Sequence, residues 1–334
     1  MKVAWVTDRP GGHVDRFVAS FLAAGWRVEP LFIEDPALPT PPATRIAAFA
    51  PDVILAGPIP SAGPAAIAAA GDVPVVLQSW GFDLLLHAAR DTAVAERCRD
   101  ALASARGFFG DCQATVSAAS ALGMSEAVPR LILPWGTDLA QFRPAPAFPE
   151  GPFTIASVRS WEPLYRVPTL ILGFGQFARD HAGARLLLAG DGSERPAVEA
   201  AIAECPPGSV ECAGRVAAPD LARLFQRAHL YANASAVDGT SVSLLEAMAC
   251  GLPVVSSGPG GTAEWIEPGR NGILVEPATE GAFAEAFARA AADPAWWEAA
   301  GRANRRIVED RADWAANFSR LTSFLAVMAA GDAP

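Results

Sequence analysis

Lysine is almost missing from this chain: of 26 basic residues among 334, Lys2 is the only lysine and the remaining 25 are arginine. Chemistry through a lysine Schiff base, as in a pyridoxal-type phosphorylase, has no candidate beyond the first strand. The five cysteines (Cys98, Cys112, Cys205, Cys212, Cys250) are odd in number and irregularly spaced, which fits neither a disulfide framework nor a zinc site but does fit a reducing cytoplasm. No apolar run approaches the roughly 20 residues of a membrane span, and Lys2–Thr7 is too short for a signal peptide and leads straight into a polar glycine loop. Excess positive charge is also lacking: net charge is −10, with 11 basic against 14 acidic residues up to position 148 and 15 against 22 after it. Neither half offers the broad basic face that nucleic acid requires. Gly-x-Gly-x-x-Gly is absent, which counts against a dinucleotide site, and no Asp-x-Asp pair closes a strand, so no metal is expected.

What is present alternates regularly. Short β-rich apolar runs near 2–7, 28–33, 52–56, 74–78, 106–110 and 130–133 are separated by helical periodicity near 13–25, 44–49, 63–70, 91–104 and 113–122. This is the pattern of an open parallel sheet covered on both faces. Proline then gathers at 134, 144, 146 and 149, a linker composition, and the alternation restarts at Phe153. Strands are expected at 153–158, 185–189, 209–212, 229–232 and 253–257, with helices at 166–181 and 219–226. The architecture expected is α/β, two Rossmann-like doubly wound domains in tandem, 1–148 and 149–310, with ligands outside the carboxyl ends of the strands where the two edges face a cleft. A last helix over roughly 311–330 carries Trp314, Phe318, Leu321, Phe324, Leu325 and Met328 at helical spacing.

The segment Asp238-Gly-Thr-Ser-Val-Ser-Leu-Leu-Glu246 sets two carboxylates eight residues apart across a helix start. Gly239, Thr240, Ser241 and Val242 read as the turn and first helical turn, whose unpaired N–H groups and positive dipole end suit a diphosphate. Glu246 lies inside the helix, about 7–8 Å along its axis. A carboxylate can accept two hydroxyl protons at once, so one acid suits a ribose diol and the other suits sugar hydroxyls. Taken by itself, the same segment also reads as an ordinary amphipathic helix leading to a buried strand.

With the following Ala-Met-Ala-Cys-Gly251-Leu-Pro-Val-Val255, the segment resembles the acidic-x7-acidic motif of retaining GT-B glycosyltransferases, closest to family 4, with Asp238 where Glu is usual. The resemblance implies the GT-B fold, a final helix (311–334) crossing back onto the first domain, and a nucleotide-sugar site. It implies that Asp238 orients the sugar and Glu246 holds the ribose. Ser157-Val-Arg159-Ser-Trp-Glu-Pro-Leu-Tyr165-Arg166 resembles the segment in which an Arg, and a Lys a few residues later, hold the departing diphosphate. The lysine is absent here, so Arg159 or Arg166 is left to do its work, since guanidinium forks bind phosphate bidentately. By resemblance Gly190 and Gly192 lie under the nucleotide, and Arg215 and Val216 belong to the loop whose backbone reads the base.

In the first half, Gly11 and Gly12 form a turn that borders a ligand or is simply a turn, and His13 beside them is a candidate catalytic contact. Trp80 and Asp83 fall where the family places its acceptor side, although Asp83 also reads as a helix cap. Glu264 is likewise a cap partner or a ligand contact. The function these features imply is retaining, metal-independent transfer of a sugar from a nucleoside diphosphate sugar, UDP- or GDP-linked, to a hydroxyl acceptor that is a small molecule or lipid-linked, with no cofactor beyond that co-substrate. A cytoplasmic protein is expected, with weak association at the inner membrane face left open by Arg90, Arg97, Arg99 and Arg106 on one helical region. The interleaved Asp91, Glu96 and Asp100 favour a solvated helix face there. Two alternatives stand beside this reading: a nucleotide-sugar-binding protein without turnover, and a GT-B nucleotide-sugar epimerase.

Overall fold

The computed structural model describes residues 1–34 and 42–331. Two compact units are present: Met1–Pro134 with the chain from Ala315 on, and Trp135–Trp314.

The first unit runs β1 (Lys2–Thr7), α1 (Gly12–Ala23), β2 (Arg27–Phe32), α2 (Pro42–Phe49), β3 (Val53–Ala56), α3 (Ile59–Ala70), β4 (Val75–Gln78), a π-helical turn (Asp83–His87) continuing into α4 (Ala88–Arg90), α5 (Thr92–Ser104), β5 (Gly107–Gly110), α6 (Gln113–Ala121) and β6 (Arg130–Ile132). Its six strands are all parallel in the order β2-β1-β3-β4-β5-β6, so the winding reverses between β1 and β3. The β3, β4 and β5 strands are buried on both faces, as their unbroken apolar runs require.

The second unit runs β7 (Thr154–Val158), α7 (Val167–Asp180), β8 (Arg185–Ala189), α8 (Arg195–Ala203), β9 (Val210–Gly214), α9 (Ala218–Gln226), β10 (Leu230–Asn233), α10 (Val242–Ala249), β11 (Val254–Ser256), β12 (Gly272–Leu274), α11 (Glu280–Ala291) and α12 (Pro294–Arg311). Again all six strands are parallel, in the order β12-β11-β10-β7-β8-β9. The reversal lies between β7 and β10, which are directly paired, with Tyr231 opposite Ala156. Carboxyl ends of strands at such a reversal open into a ready-made ligand crevice, because the following helices pack on opposite faces of the sheet.

The final helix, α13 (Trp314–Ala330), packs within the first unit from Ala315 onward. Phe318 sits edge-on to Phe21 at 4.8 Å and to Phe17 at 6.0 Å, Met328 presses on Gly107, and the Asn317 side chain donates to the Pro134 carbonyl at 3.0 Å. The apolar spacing read from the sequence becomes the buried stripe of Phe318, Leu321, Leu325 and Met328.

His229, before β10, ties the proline-rich entry of the second unit to its sheet. Its Nδ1 accepts from the Thr154 N–H at 3.0 Å, which fixes the proton on Nε2, and Nε2 donates to the Pro149 carbonyl at 2.9 Å. Phe148, Phe153 and Trp297 surround the ring at 5.0–6.2 Å. Burial holds this imidazole below its ordinary value of 6.5, with the Pro149 carbonyl offsetting only part of the effect. Above that value both folded and unfolded chains carry a neutral ring and the contribution is intact. As pH falls through 6.5 toward the depressed folded value, the unfolded chain takes up a proton that the folded one refuses, and stability is lost. Urea titrations between pH 7.5 and 5 are therefore expected to show a fall in stability that His229→Gln flattens; parallel pH curves for the two proteins would contradict this.

Candidate functional site

Arg159 follows the last residue of β7, and Asp238 lies in the loop after β10, so the two neighbouring strands at the reversal bring together residues 79 apart in sequence. Arg159 Nη2 donates to Asp238 Oδ2 at 2.7 Å. Nη1 donates to Ser241 Oγ at 2.6 Å and reaches Ser243 Oγ at 3.4 Å. The guanidinium Cζ lies over the Tyr165 ring, 3.9 Å from its centroid. Side-chain exposure is only 10% for Arg159 and 17% for Asp238, so the pair is shielded from the solvent screening that weakens surface ion pairs. Burial raises the Asp238 carboxyl above its ordinary range, and the charge of Arg159 pulls part of that back. For Arg159 burial works against the charged form, but Asp238 and the other groups around it outweigh burial and keep the guanidinium above its usual value.

Ser241 is the N-cap of α10: its backbone is extended (φ −66°, ψ 120°) and its Oγ also accepts from the Leu244 N–H at 3.4 Å. Gly239 and Thr240 are buried before it, and Val242, half-buried, opens the helix. The Gly261 N–H donates to the Asp238 carbonyl at 3.2 Å, so the glycine turn after β11 holds the loop in place. Behind the cap, Ser243 Oγ lies 2.8 Å from the hydroxyl of fully buried Tyr231. Glu246 projects from α10 about one and a half helical turns beyond the cap, about 7–8 Å along the axis, and is partly buried.

The other expected site residues of this unit have clear placements. Arg166 has left-handed backbone (φ 49°), and its guanidinium donates to the Ala278 carbonyl at 2.8 Å. Of the two arginines left open by the missing lysine, only Arg159 stands with Asp238 and Ser241. Gly190 and Gly192 serve loop packing: a Cβ on Gly190 would lie 2.0 Å from the Arg159 carbonyl oxygen, and one on Gly192 would lie 2.3 Å from that of Trp161. Arg215 is 81% exposed with Nε 3.9 Å from Asp191, and Val216 is half-buried beside it, both after β9. Glu264 is exposed within a 3-10 turn (Gly260–Trp265) that starts after Pro259, and its carbonyl accepts from Arg311 at 3.1 Å.

In the first unit, Gly11 and Gly12 join β1 to α1. A Cβ on either would meet nothing within 4 Å, and Gly11 is extended (φ 173°), so the fold itself does not demand glycine there. His13 is the second residue of α1, and its side chain lies outside the described residues. Asp83 corrects the acceptor-side expectation: it is 0% exposed, and its carboxylate accepts from the N–H groups of Ile59 (3.0 Å), Trp80 (3.1 Å) and Leu84 (2.9 Å) and from the Ser79 hydroxyl (2.8 Å). Burial raises its carboxyl, and these donors offset part of the rise. It fastens the turn after β4 to the start of α3, leaving no surface for an acceptor. Trp80 is half-buried beside it. Among the described residues no group of three or more His, Cys, Asp or Glu is placed to hold a metal, and no helix is long and apolar enough to cross a membrane.

Sequence reading missed Ser243, Tyr231 and Tyr165. One signal was available, because the chain holds only two tyrosines against 17 phenylalanines, and both stand at this site.

The same stretch of chain matches a known family. Residues 154–293 fit the model described as glycosyl transferases group 1. The matched residues lie within the second unit. A GDP-mannose-dependent monoacylated alpha-(1-6)-phosphatidylinositol monomannoside mannosyltransferase of Corynebacterium glutamicum is 27% identical over 211 residues, which is 58% of this chain and 55% of that protein. The chain spans from about a tenth to about half of the length of the curated relatives it matches. Sucrose-phosphate synthase from Thermosynechococcus elongatus superposes with a TM-score of 0.86 at 20% identity, covering 99% of this chain and 100% of that one. Anabaena HepE in complex with UDP and glucose gives 0.81 at 18% identity, covering 98% and 99%. These likenesses show the fold, which is that of the GT-B glycosyltransferases.

Proposed function

We propose that this protein is a retaining glycosyltransferase that moves a sugar from a nucleoside diphosphate sugar, UDP- or GDP-linked, to a hydroxyl acceptor. The observation that carries the reading is the Arg159–Asp238–Ser241 constellation, set at the sheet reversal and on the first turn of α10. As the bond between the anomeric carbon and the diphosphate oxygen breaks, its electron pair passes to the phosphate. Arg159 and the N–H groups at the start of α10 are fixed where that charge develops, and preorganised donors of this kind are worth far more than the same groups in water. They supply the positive charge themselves, which supports transfer without a metal. The acceptor oxygen attacks the anomeric carbon on the face that the phosphate leaves, and its proton passes to the departing diphosphate. Asp238 orients the sugar and Glu246 binds the ribose diol. The open space around Gly11 and Gly12 suits a turn over which a ligand approaches the backbone closely. A small-molecule or lipid-linked hydroxyl is the acceptor. The mannosyltransferase of Corynebacterium glutamicum is named for a lipid acceptor, which supports a place in the cytoplasm with contact at the inner membrane face.

Slow donor hydrolysis tests this without knowledge of the acceptor. Proton NMR of the protein with UDP-glucose or GDP-mannose in EDTA is expected to show nucleoside diphosphate released with the α-anomer of the sugar formed first. First formation of the β-anomer would overturn retention. Binding without release would turn the reading to a nucleotide-sugar-binding protein.

A further inference from the structure

We infer that Tyr165 is the positioning residue that holds Arg159 as a phosphate-binding cation of the donor site, in place of the family lysine this chain lacks. The inference rests on the donor reading above for its ligand and on the geometry of Arg159 for everything else.

A guanidinium has two kinds of surface. Its edge carries the N–H donors, and here the edge contacts Asp238, Ser241 and Ser243. All three are partners that a diphosphate arriving at Arg159 must share or displace, because phosphate oxygens seek the same donors. Its face carries no hydrogen-bonding group, and here Cζ lies over the Tyr165 ring, 3.9 Å from the centroid, the close separation of a guanidinium stacked on an aromatic ring. A contact through the face does not compete with one through the edge. Tyr165 therefore keeps the guanidinium plane fixed while the edge exchanges a carboxylate for a phosphate. An ammonium has no face to stack in this way, so the device works with arginine and not with lysine.

Three further observations support it. Among the described residues the Arg159 Nε–H, although buried, has no acceptor, which leaves a donor available beyond the present edge partners. Two other cations are engaged elsewhere: Arg166 is committed to the Ala278 carbonyl, and Lys2, in the first unit, donates to the Phe49 carbonyl at 3.0 Å. Tyr165 is itself held from both sides. It ends a 3-10 turn (Pro163–Tyr165) in which its N–H donates to the Glu162 carbonyl at 2.9 Å. The adjoining Leu164 carbonyl accepts from Ala236 N–H at 2.8 Å, on the same loop that carries Asp238, and the left-handed Arg166 turns the chain away immediately after the ring.

Two readouts on Tyr165→Leu and Tyr165→Phe test the inference separately from the donor reading. In 15N-resolved NMR of the whole protein, the Arg159 Nε–H signal, identified by its loss in Arg159→Met, is expected to shift and broaden in Tyr165→Leu and to return in Tyr165→Phe. In calorimetric titrations with UDP and GDP, Tyr165→Leu is expected to weaken binding about three- to thirtyfold, with Tyr165→Phe restoring it because the ring face is kept. An unchanged Nε–H signal in Tyr165→Leu, or an equal loss in the Leu and Phe variants, would overturn the positioning role. If neither nucleotide bound the wild type while the Nε–H signal followed the ring, the donor reading would fall and the positioning of Arg159 would stand.

Discussion

Arg159→Met is expected to lower sugar transfer about a hundred- to a thousandfold, the range found when one preorganised donor is removed from a developing oxyanion. It should also destabilise the second unit by about 2–4 kcal/mol, since one partner of a shielded pair is lost and the other is left charged. The reason is the geometry at the end of β7: Asp238 is largely buried, burial already raises its carboxyl, and Arg159 is the cation that pulls it back. Without the guanidinium the carboxyl moves further up. The sign of the pH effect follows. A raised acid is unfavourable in the folded state when ionised and is relieved on protonation, so the stability deficit of Arg159→Met should shrink as pH falls toward the raised Asp238 value. Adding Asp238→Asn should recover most of the stability and none of the transfer. Urea unfolding across pH and a transfer assay check the two halves separately; a deficit that is constant with pH, or that the second substitution leaves in place, would contradict the pairing.

Gly190→Ala should be nearly as damaging, although it removes no functional group. The added methyl would lie 2.0 Å from the Arg159 carbonyl oxygen and 2.8 Å from Trp161 Nε1, at a backbone φ of 152° that residues with a side chain seldom adopt. The obstructing atom is main chain and cannot rotate away. A cost of about 3 kcal/mol or more is expected, as for other overpacked core sites, together with loss of transfer because Arg159 itself is pushed out of place. Gly11→Ala, with nothing within 4 Å, should stay within about 0.5 kcal/mol of wild type in stability. Thermal unfolding of the two variants side by side distinguishes a glycine needed for packing from one the fold does not require.

That contrast also shows how far the sequence could be read. Alternating apolar runs and helical periodicity located the strands and most helices within a few residues, because a doubly wound sheet repeats one local pattern. β12, α11 and α12 did not stand out, and β12 is only three residues long. Motif spacing selected Asp238 and Ser241, and family resemblance selected Arg159; the fold brings Arg159 within hydrogen-bonding distance of both. The sequence could not decide between Arg159 and Arg166, since the outcome turns on a left-handed residue and a carbonyl 112 positions away. Nor could it show that Asp83 is enclosed by four donors, because Ile59 comes to it from another strand's loop. Tyr165 escaped for a related reason. Its partner is the face of a side chain six residues earlier, and no helical or strand period links the two.

The central claim is that the start of α10 and the acid one turn along it hold a nucleoside diphosphate. Calorimetric titration of UDP and GDP, without metal, into the wild type, Glu246→Ala and Asp238→Ala tests it most directly. One nucleotide is predicted to bind the wild type and to lose at least about tenfold in affinity with Glu246→Ala, the loss of two ribose hydrogen bonds to a charged acceptor, while Asp238→Ala loses less. Failure of both nucleotides to bind, or unchanged affinity in Glu246→Ala, would contradict it.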